Sequence, residues 1–151
     1  MQIISIINQK GGVGKTTSAI NLAAGLSQQK KKILVLDLDP QGNATTGLGL
    51  SNMENSSETI YGVLNGTKEI NDVIKKTQFE NLDIITSNVD LSGLEVETAD
   101  DNNRAFLLKV KLTAYLNNSG GTYDYILIDC PPSLSLLTVM ALVSSNSLLV
   151  P

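Results

Sequence analysis

The sequence predicts an α/β fold, a parallel sheet with helices on both faces, in a single domain over residues 1–151. Three observations predict it. Short β-branched apolar runs recur along the chain, as in strands buried on both faces. Segments of helical period lie between them, the alternation a parallel sheet requires. A glycine-rich stretch joins the first apolar run to the first helical segment, and ligands of such sheets bind at that carboxyl edge.

The elements follow in order. "IISII" at 3–7 reads as the first strand. Residues 15 to about 29 turn helical, with Ala19, Leu22, Ala23 and Leu26 on one face. Gly25 inside that helix suggests close packing against the sheet. "ILVLDLD" at 33–39 is a second strand, broken by Pro40 and Gly42. Residues 42–58 are rich in Gly, Asn, Ser and Thr and read as a mobile loop. Short helices are expected near 58–65 and 69–76, then a strand at "LDIITS", 82–87. Residues 103–117 read as a helix with Ala105, Leu108, Leu112, Tyr115 and Leu116 on one face. "YDYILID" at 123–129 is a fourth strand, and 134–143 a further helix. "NSLLVP" at 146–151 begins another apolar run, read as a terminal strand or, better, as the start of a missing C-terminal part.

Composition narrows the function. Hydrophobic residues make up 42% and charged residues 17%, as in a soluble globular chain. No apolar stretch approaches a bilayer span and the start lacks a secretory signal's shape, so a cytoplasmic protein without a membrane role is expected. Histidine is absent and Cys130 is the single cysteine, which excludes His-based triads, internal disulfides and Cys/His zinc sites. Without a second cysteine to resolve it, Cys130 reads as a small buried hydrophobe rather than a redox residue. A net charge of −4 is not that of a nucleic-acid-binding module. Lys30, Lys31 and Lys32 read as a solvated helix end.

"NQKGGVGKTT" at 8–17 carries the chemistry. Gly11, Gly12 and Gly14 let backbone N–H groups turn inward, forming an anion nest at a helix N-terminus. Lys15 would reach the β- and γ-phosphates of a nucleotide, and the Thr16 hydroxyl would ligate Mg²⁺. The alternative, a glycine turn without ligand, does not account for Gly-Lys-Thr in order between strand and helix. A dinucleotide loop would need glycine at Thr17. Two oddities remain: Gln9 stands where the usual pattern has its first glycine, and Lys10 is extra. Asp37 and Asp39 are expected on opposite faces of their strand, with separate roles. Asp39 would orient a water toward the γ-phosphate or else cap the strand end. Asp37 reads as structural, or as a support bonded to the loop or to a metal-bound water. Asp129 would hold Mg²⁺ through water or else cap its strand, and Pro131-Pro132 stiffens the segment after it.

These residues together resemble the ParA/MinD family of deviant Walker ATPases. The family form K-G-G-x-G-K-[ST] falls on Lys10 to Thr16, a branch without the first glycine and with a signature lysine. "DLDPQGNATTGLG", "SNVDLSGLEVE" and "YDYILIDCPPSLSLLTVMAL" extend the likeness over nearly the whole chain. "DPQGNAT" and "DCPPSLxLLT" point to the chromosome- or plasmid-partitioning branch and away from the septum-positioning one. The iron-protein branch needs two cysteines. Met140 departs from the asparagine usual in the partitioning branch.

The resemblance implies a P-loop NTPase-like fold truncated at its C-terminus. It implies ATP phosphates held by Lys10, Gly11, Gly12, Val13, Gly14, Lys15, Thr16 and Thr17, with Mg²⁺ on Thr16 and Asp129. Lys10 would reach a partner subunit's nucleotide, and Lys10, Lys15 and Asp39 would serve catalysis. It further implies an ATP-bound homodimer, nonspecific DNA binding through the missing part, nucleoid association and stimulation by a ParB-like protein. Two alternatives stand beside this ATPase: a dimerising or positioning module with incidental hydrolysis, and a small-molecule ligase, for which no substrate pocket is visible.

Overall fold

The computed structural model describes residues 1–7, 14–51, 55–119 and 122–151. Six strands form one sheet: β1 (Gln2–Ile6), β2 (Ile33–Asp37), β3 (Ile74–Lys76), β4 (Leu82–Ile85), β5 (Tyr125–Asp129) and β6 (Ser147–Leu149). Their order is β3-β4-β2-β5-β1-β6. All pairings are parallel except β3 with β4. Around it lie α1 (Lys15–Gln28), α2 (Asn43–Gly47), α3 (Ile60–Leu64), α4 (Ile70–Val73), α5 (Leu94–Glu97), α6 (Leu107–Ser119) and α7 (Leu136–Ser144).

Strand burial explains why the apolar runs are continuous. Every residue of β2 and β4 is buried, because helices cover both faces. Alternation along each strand then splits the core in two. Ile33, Val35, Leu127 and Ile6 face Ala19 and Ala23 of α1 and Ala44 of α2. Leu34, Leu36, Ile126 and Ile128 face the opposite way, toward Leu108, Leu112 and Met140 of α6 and α7. The face expected for residues 103–117 is the buried one at Leu108 and Leu112, although Arg104–Phe106 form a 3-10 turn before α6 begins. Met140 is fully buried in this second layer, so its departure from the family pattern lies within packing.

The topology positions the site. The chain leaves β1, passes along α1 and returns in β2, two places away in the sheet. The intervening place is filled later by β5, whose register sets Ile6 and Asp37 on either side of Asp129. The segments following β1, β2 and β5 therefore leave the same edge side by side.

Several expectations are corrected. Residues 42–58 are not all loop: α2 forms over Asn43–Gly47 and a 3-10 turn over Ser56–Glu58. The expected helix at 69–76 stops at Val73, and Ile74–Lys76 turn into β3. Lys76 pairs with Asp83 across β3 and β4, with Nζ 3.3 Å from Oδ2, an opposite-charge pair that favours the strand. Gly25 is exposed, with nothing within 4 Å of where a Cβ would stand, so it packs against nothing. The lysine cluster lies beyond the last turn of α1: Lys30 adopts φ 64, and the N–H groups of Lys30 and Lys31 bond Ser27 and Leu26 carbonyls, a Schellman ending with lysine in the usual glycine place. The terminal run does form a strand, β6, paired with β1 at the sheet edge, where Leu148 and Leu149 are exposed. No described helix is long and apolar enough to cross a membrane.

Candidate nucleotide site

The site begins where α1 starts. Gly14 takes φ 79, a left-handed conformation, as the residue preceding the helix. Nothing lies within 4 Å of a Cβ there, so the backbone angle rather than space calls for glycine. The turn delivers Lys15 and Thr16 onto the first turn of α1, aimed at the end of β5. Lys15 is only 8% exposed, and its Nζ lies 3.1 Å from Oδ1 of the fully buried Asp129. The Thr16 hydroxyl donates to the other carboxylate oxygen, Oδ2, at 2.9 Å. Thr17, one residue on, is exposed. Lys10, Gly11, Gly12 and Val13 lie outside the described residues.

Burial pushes the Asp129 carboxyl up, and the Lys15 ammonium and Thr16 hydroxyl pull it back; the nearby Asp39 charge adds an upward push. Asp37 sits beside Asp129 in the sheet register and is also fully buried. Its carboxyl is pushed up to about 7, first by burial; two hydrogen bonds from Thr45 oppose this, and the Asp129 charge adds to it. Asp37 and Asp39 therefore do not face opposite ways. Even on a strand, residues two apart share a face; here β2 ends at Asp37, Asp39 follows in the turn with its N–H on Asp37 Oδ1, and both acids lie within electrostatic reach of Asp129. Cys130, fully buried after β5, has its thiol pushed up to about 12 chiefly by burial, as suits a packed hydrophobe and not a reactive thiolate.

Asp39 is 4% exposed, in the turn after β2. Its backbone N–H bonds Asp37 Oδ1 at 3.1 Å, its Oδ1 accepts the Gln41 N–H at 3.0 Å, and its carbonyl accepts the Ser87 hydroxyl at 2.8 Å. Pro40 of this turn and Pro131 after β5 line a common cavity of 170 Å³ with Leu91, Glu95 and Leu136. The two segments are thus neighbours above the sheet edge.

Thr45 and Ser87, which hold Asp37 and Asp39, were not singled out by sequence reasoning. Their stretches read as loop and strand end. The available signal was a buried-type aspartate, Asp37, followed by hydroxyl-rich "NATT".

The residues fit Mg²⁺. The Thr16 hydroxyl and the Asp129 carboxylate are hard oxygen donors on one spot, the donors that cation takes. No group of three or more His, Cys, Asp or Glu able to cage a metal occurs among the described residues.

The comparisons agree with this geometry. A family model described as "AAA domain" (AAA_31) matches residues 1–151. The sporulation initiation inhibitor protein Soj of Bacillus subtilis is 47% identical over 150 residues, covering 99% of this chain and 57% of that protein. The chromosome partitioning protein ParA of Caulobacter vibrioides is 44% identical over 151 residues, covering 100% and 55%. The chain thus spans little more than half the length of these relatives. Among solved structures, cobyrinic acid a,c-diamide synthase of Mycobacterium smegmatis, with bound ATP analogue and magnesium, superposes with a TM-score of 0.92 at 34% identity, covering 100% of this chain and 59% of that one. On the matched domain and on these relatives, the chain belongs to the ParA/MinD-type P-loop ATPases.

Proposed function

We propose that the chain is the nucleotide-binding part of a Mg²⁺-dependent ATPase switch acting in DNA segregation. The observation that carries this reading is the convergence of Lys15 and Thr16 on Asp129, with Asp39 beside them. Lys15 exchanges its bond to Asp129 for the β- and γ-phosphates as ATP enters, and the N–H groups of Gly11 to Thr17 cradle the phosphate oxygens. Thr16, and Asp129 through water, would hold Mg²⁺, which when bound supplies positive charge against the phosphate oxygens. Asp39 orients the attacking water. Lys10 reaches the nucleotide of a second subunit, so the ATP-bound unit is a homodimer. Nonspecific DNA binding falls to parts of the intact protein outside this chain, and a ParB-like partner stimulates turnover on the nucleoid in the cytoplasm. The names of the relatives, both chromosome-partition or sporulation-control proteins, support this reading.

The likeness to a synthase at 34% identity keeps ligation as a second reading, weaker than the partition reading at 47% and 44%. One experiment separates them. In the intact protein, ATP and Mg²⁺ alone are expected to yield ADP and phosphate. Asp39→Ala is expected to cut kcat by about 10²-fold with ATP affinity retained. Turnover equal to wild type in that variant, or turnover only with an added acid and amine donor, would overturn the assignment.

A further inference from the structure

Asp37, Asp39, Thr45 and Ser87 come from three separate segments, and none is more than 4% exposed. They close a ring. Asp37 Oδ1 accepts the Asp39 N–H at 3.1 Å, and Asp37 Oδ2 accepts both the Thr45 N–H at 2.9 Å and the Thr45 hydroxyl at 2.7 Å. The Thr45 oxygen in turn accepts the Ser87 N–H at 3.0 Å. The Ser87 hydroxyl donates to the Asp39 carbonyl at 2.8 Å. The backbone of Asp39 is thereby gripped from both sides, at its N–H by β2 and at its carbonyl by the segment after β4.

The link that closes the ring is the Thr45 hydroxyl. It must donate to a carboxylate and accept from a backbone amide at once, which a hydroxyl does and a methyl of the same size does not. We infer that Thr45 is a positioning residue for hydrolysis, its hydroxyl fixing the turn that carries Asp39 relative to the phosphate site. The inference rests on the ATPase reading given above. It goes beyond that reading by assigning the alignment of Asp39 to two residues, Thr45 and Ser87, that lie outside the phosphate loop and the proposed Mg²⁺ donors. A displacement of about 1 Å at a water-orienting carboxylate costs on the order of 10²-fold in rate. The phosphates, held by the loop and Lys15, are bound through other contacts. The signature is a fall in kcat without a matching loss of ATP affinity.

The test uses the intact protein with ATP and Mg²⁺, measuring kcat by phosphate release and affinity with a fluorescent ATP analogue. Thr45→Val is expected to lower kcat by between about 10- and 10²-fold with affinity near wild type, and Thr45→Ser, which keeps the hydroxyl, to restore it. Ser87→Ala, at the other end of the ring, is expected to move kcat in the same direction. Its effect should be much smaller in the Thr45→Val background, since both act through one network. A folded Thr45→Val protein with wild-type kcat would overturn the inference, as would a Thr45→Ser protein as slow as Thr45→Val. If Thr45→Val fails to fold, Ser87→Ala decides: wild-type turnover there overturns it. Asp39→Ala serves as the reference. Should that variant turn over normally, the ATPase assignment itself fails; should it be slow while Thr45→Val and Ser87→Ala are not, only the positioning role fails.

Discussion

Burial moves the Asp37 carboxyl from an ordinary 3.8 up to about 7, and the direction sets a pH dependence. Between those two values the folded state holds a proton that the unfolded state has released. Stability from this group is therefore complete below about pH 4 and is lost as pH rises through 7. At about 1.4 kcal/mol per unit, the amplitude is of order 4 kcal/mol. The difference between wild type and Asp37→Asn isolates this group. The stability of wild type minus that of Asp37→Asn, from urea melts across pH 4 to 8, is expected to fall over this window and then level. A flat difference would show that the Asp37 carboxyl is not shifted. The residue itself was legible only in part. "DLD" announces two acids at a strand end, but which carboxyl is pushed up depends first on burial, then on the balance between the Thr45 hydrogen bonds that oppose the shift and the Asp129 charge that adds to it, from residues 8 and 92 positions away.

Among the helices, two glycines carry opposite expectations. Gly25 stands exposed in α1 with open space at its Cβ position. Gly25→Ala is expected to stabilise the chain by about 0.5–1 kcal/mol, through helix propensity and a less flexible unfolded state. In α3 a Cβ at Gly62 would lie 2.2 Å from the Ser57 carbonyl oxygen and 2.8 Å from its carbon. Gly62→Ala gains the same propensity but must push the 3-10 turn at Ser56–Glu58 away, and is expected to cost about 1–3 kcal/mol net. Denaturant midpoints with unchanged m-values would read both; the same sign in both variants refutes the packing argument. Sequence reasoning gave close packing to Gly25, the wrong glycine, because a glycine inside a helical pattern does not announce which neighbour approaches it. The same limit explains β3. Ile74 continues the apolar spacing of Ile70 and Val73 in α4, and only the pairing of Ile74–Lys76 with Asp83–Ile85 on β4 decides for strand. The long central elements were legible because a parallel sheet buried on both faces writes itself as unbroken apolar runs.

At the scale of the molecule, electrostatics decide how a nucleotide binds. Around the end of β5 stand the buried acids Asp129, Asp39 and Asp37, the last with its carboxyl pushed up to about 7, against one buried cation among the described residues, Lys15. Such a site repels the β- and γ-phosphates of ATP unless positive charge arrives with them. The convergence itself was legible, since the loop motif and two strand-end acids fall at one sheet edge by topology. The charge balance was not, because burial is set by the helices that close over the edge. It follows that ATP and Mg²⁺ bind as one unit. In a thermal melt of the intact protein, Mg²⁺ with ATP at about 100 times Kd adds about 2.7 kcal/mol to stability. For an intact protein near the length of these relatives that is a rise of about 5 °C in Tm. Chelating the Mg²⁺ at constant ATP is expected to remove most of the shift, and Lys15→Ala to remove it even with Mg²⁺ present. An equal shift with and without Mg²⁺ would mean that the Asp129 and Asp39 carboxylates do not face the phosphates.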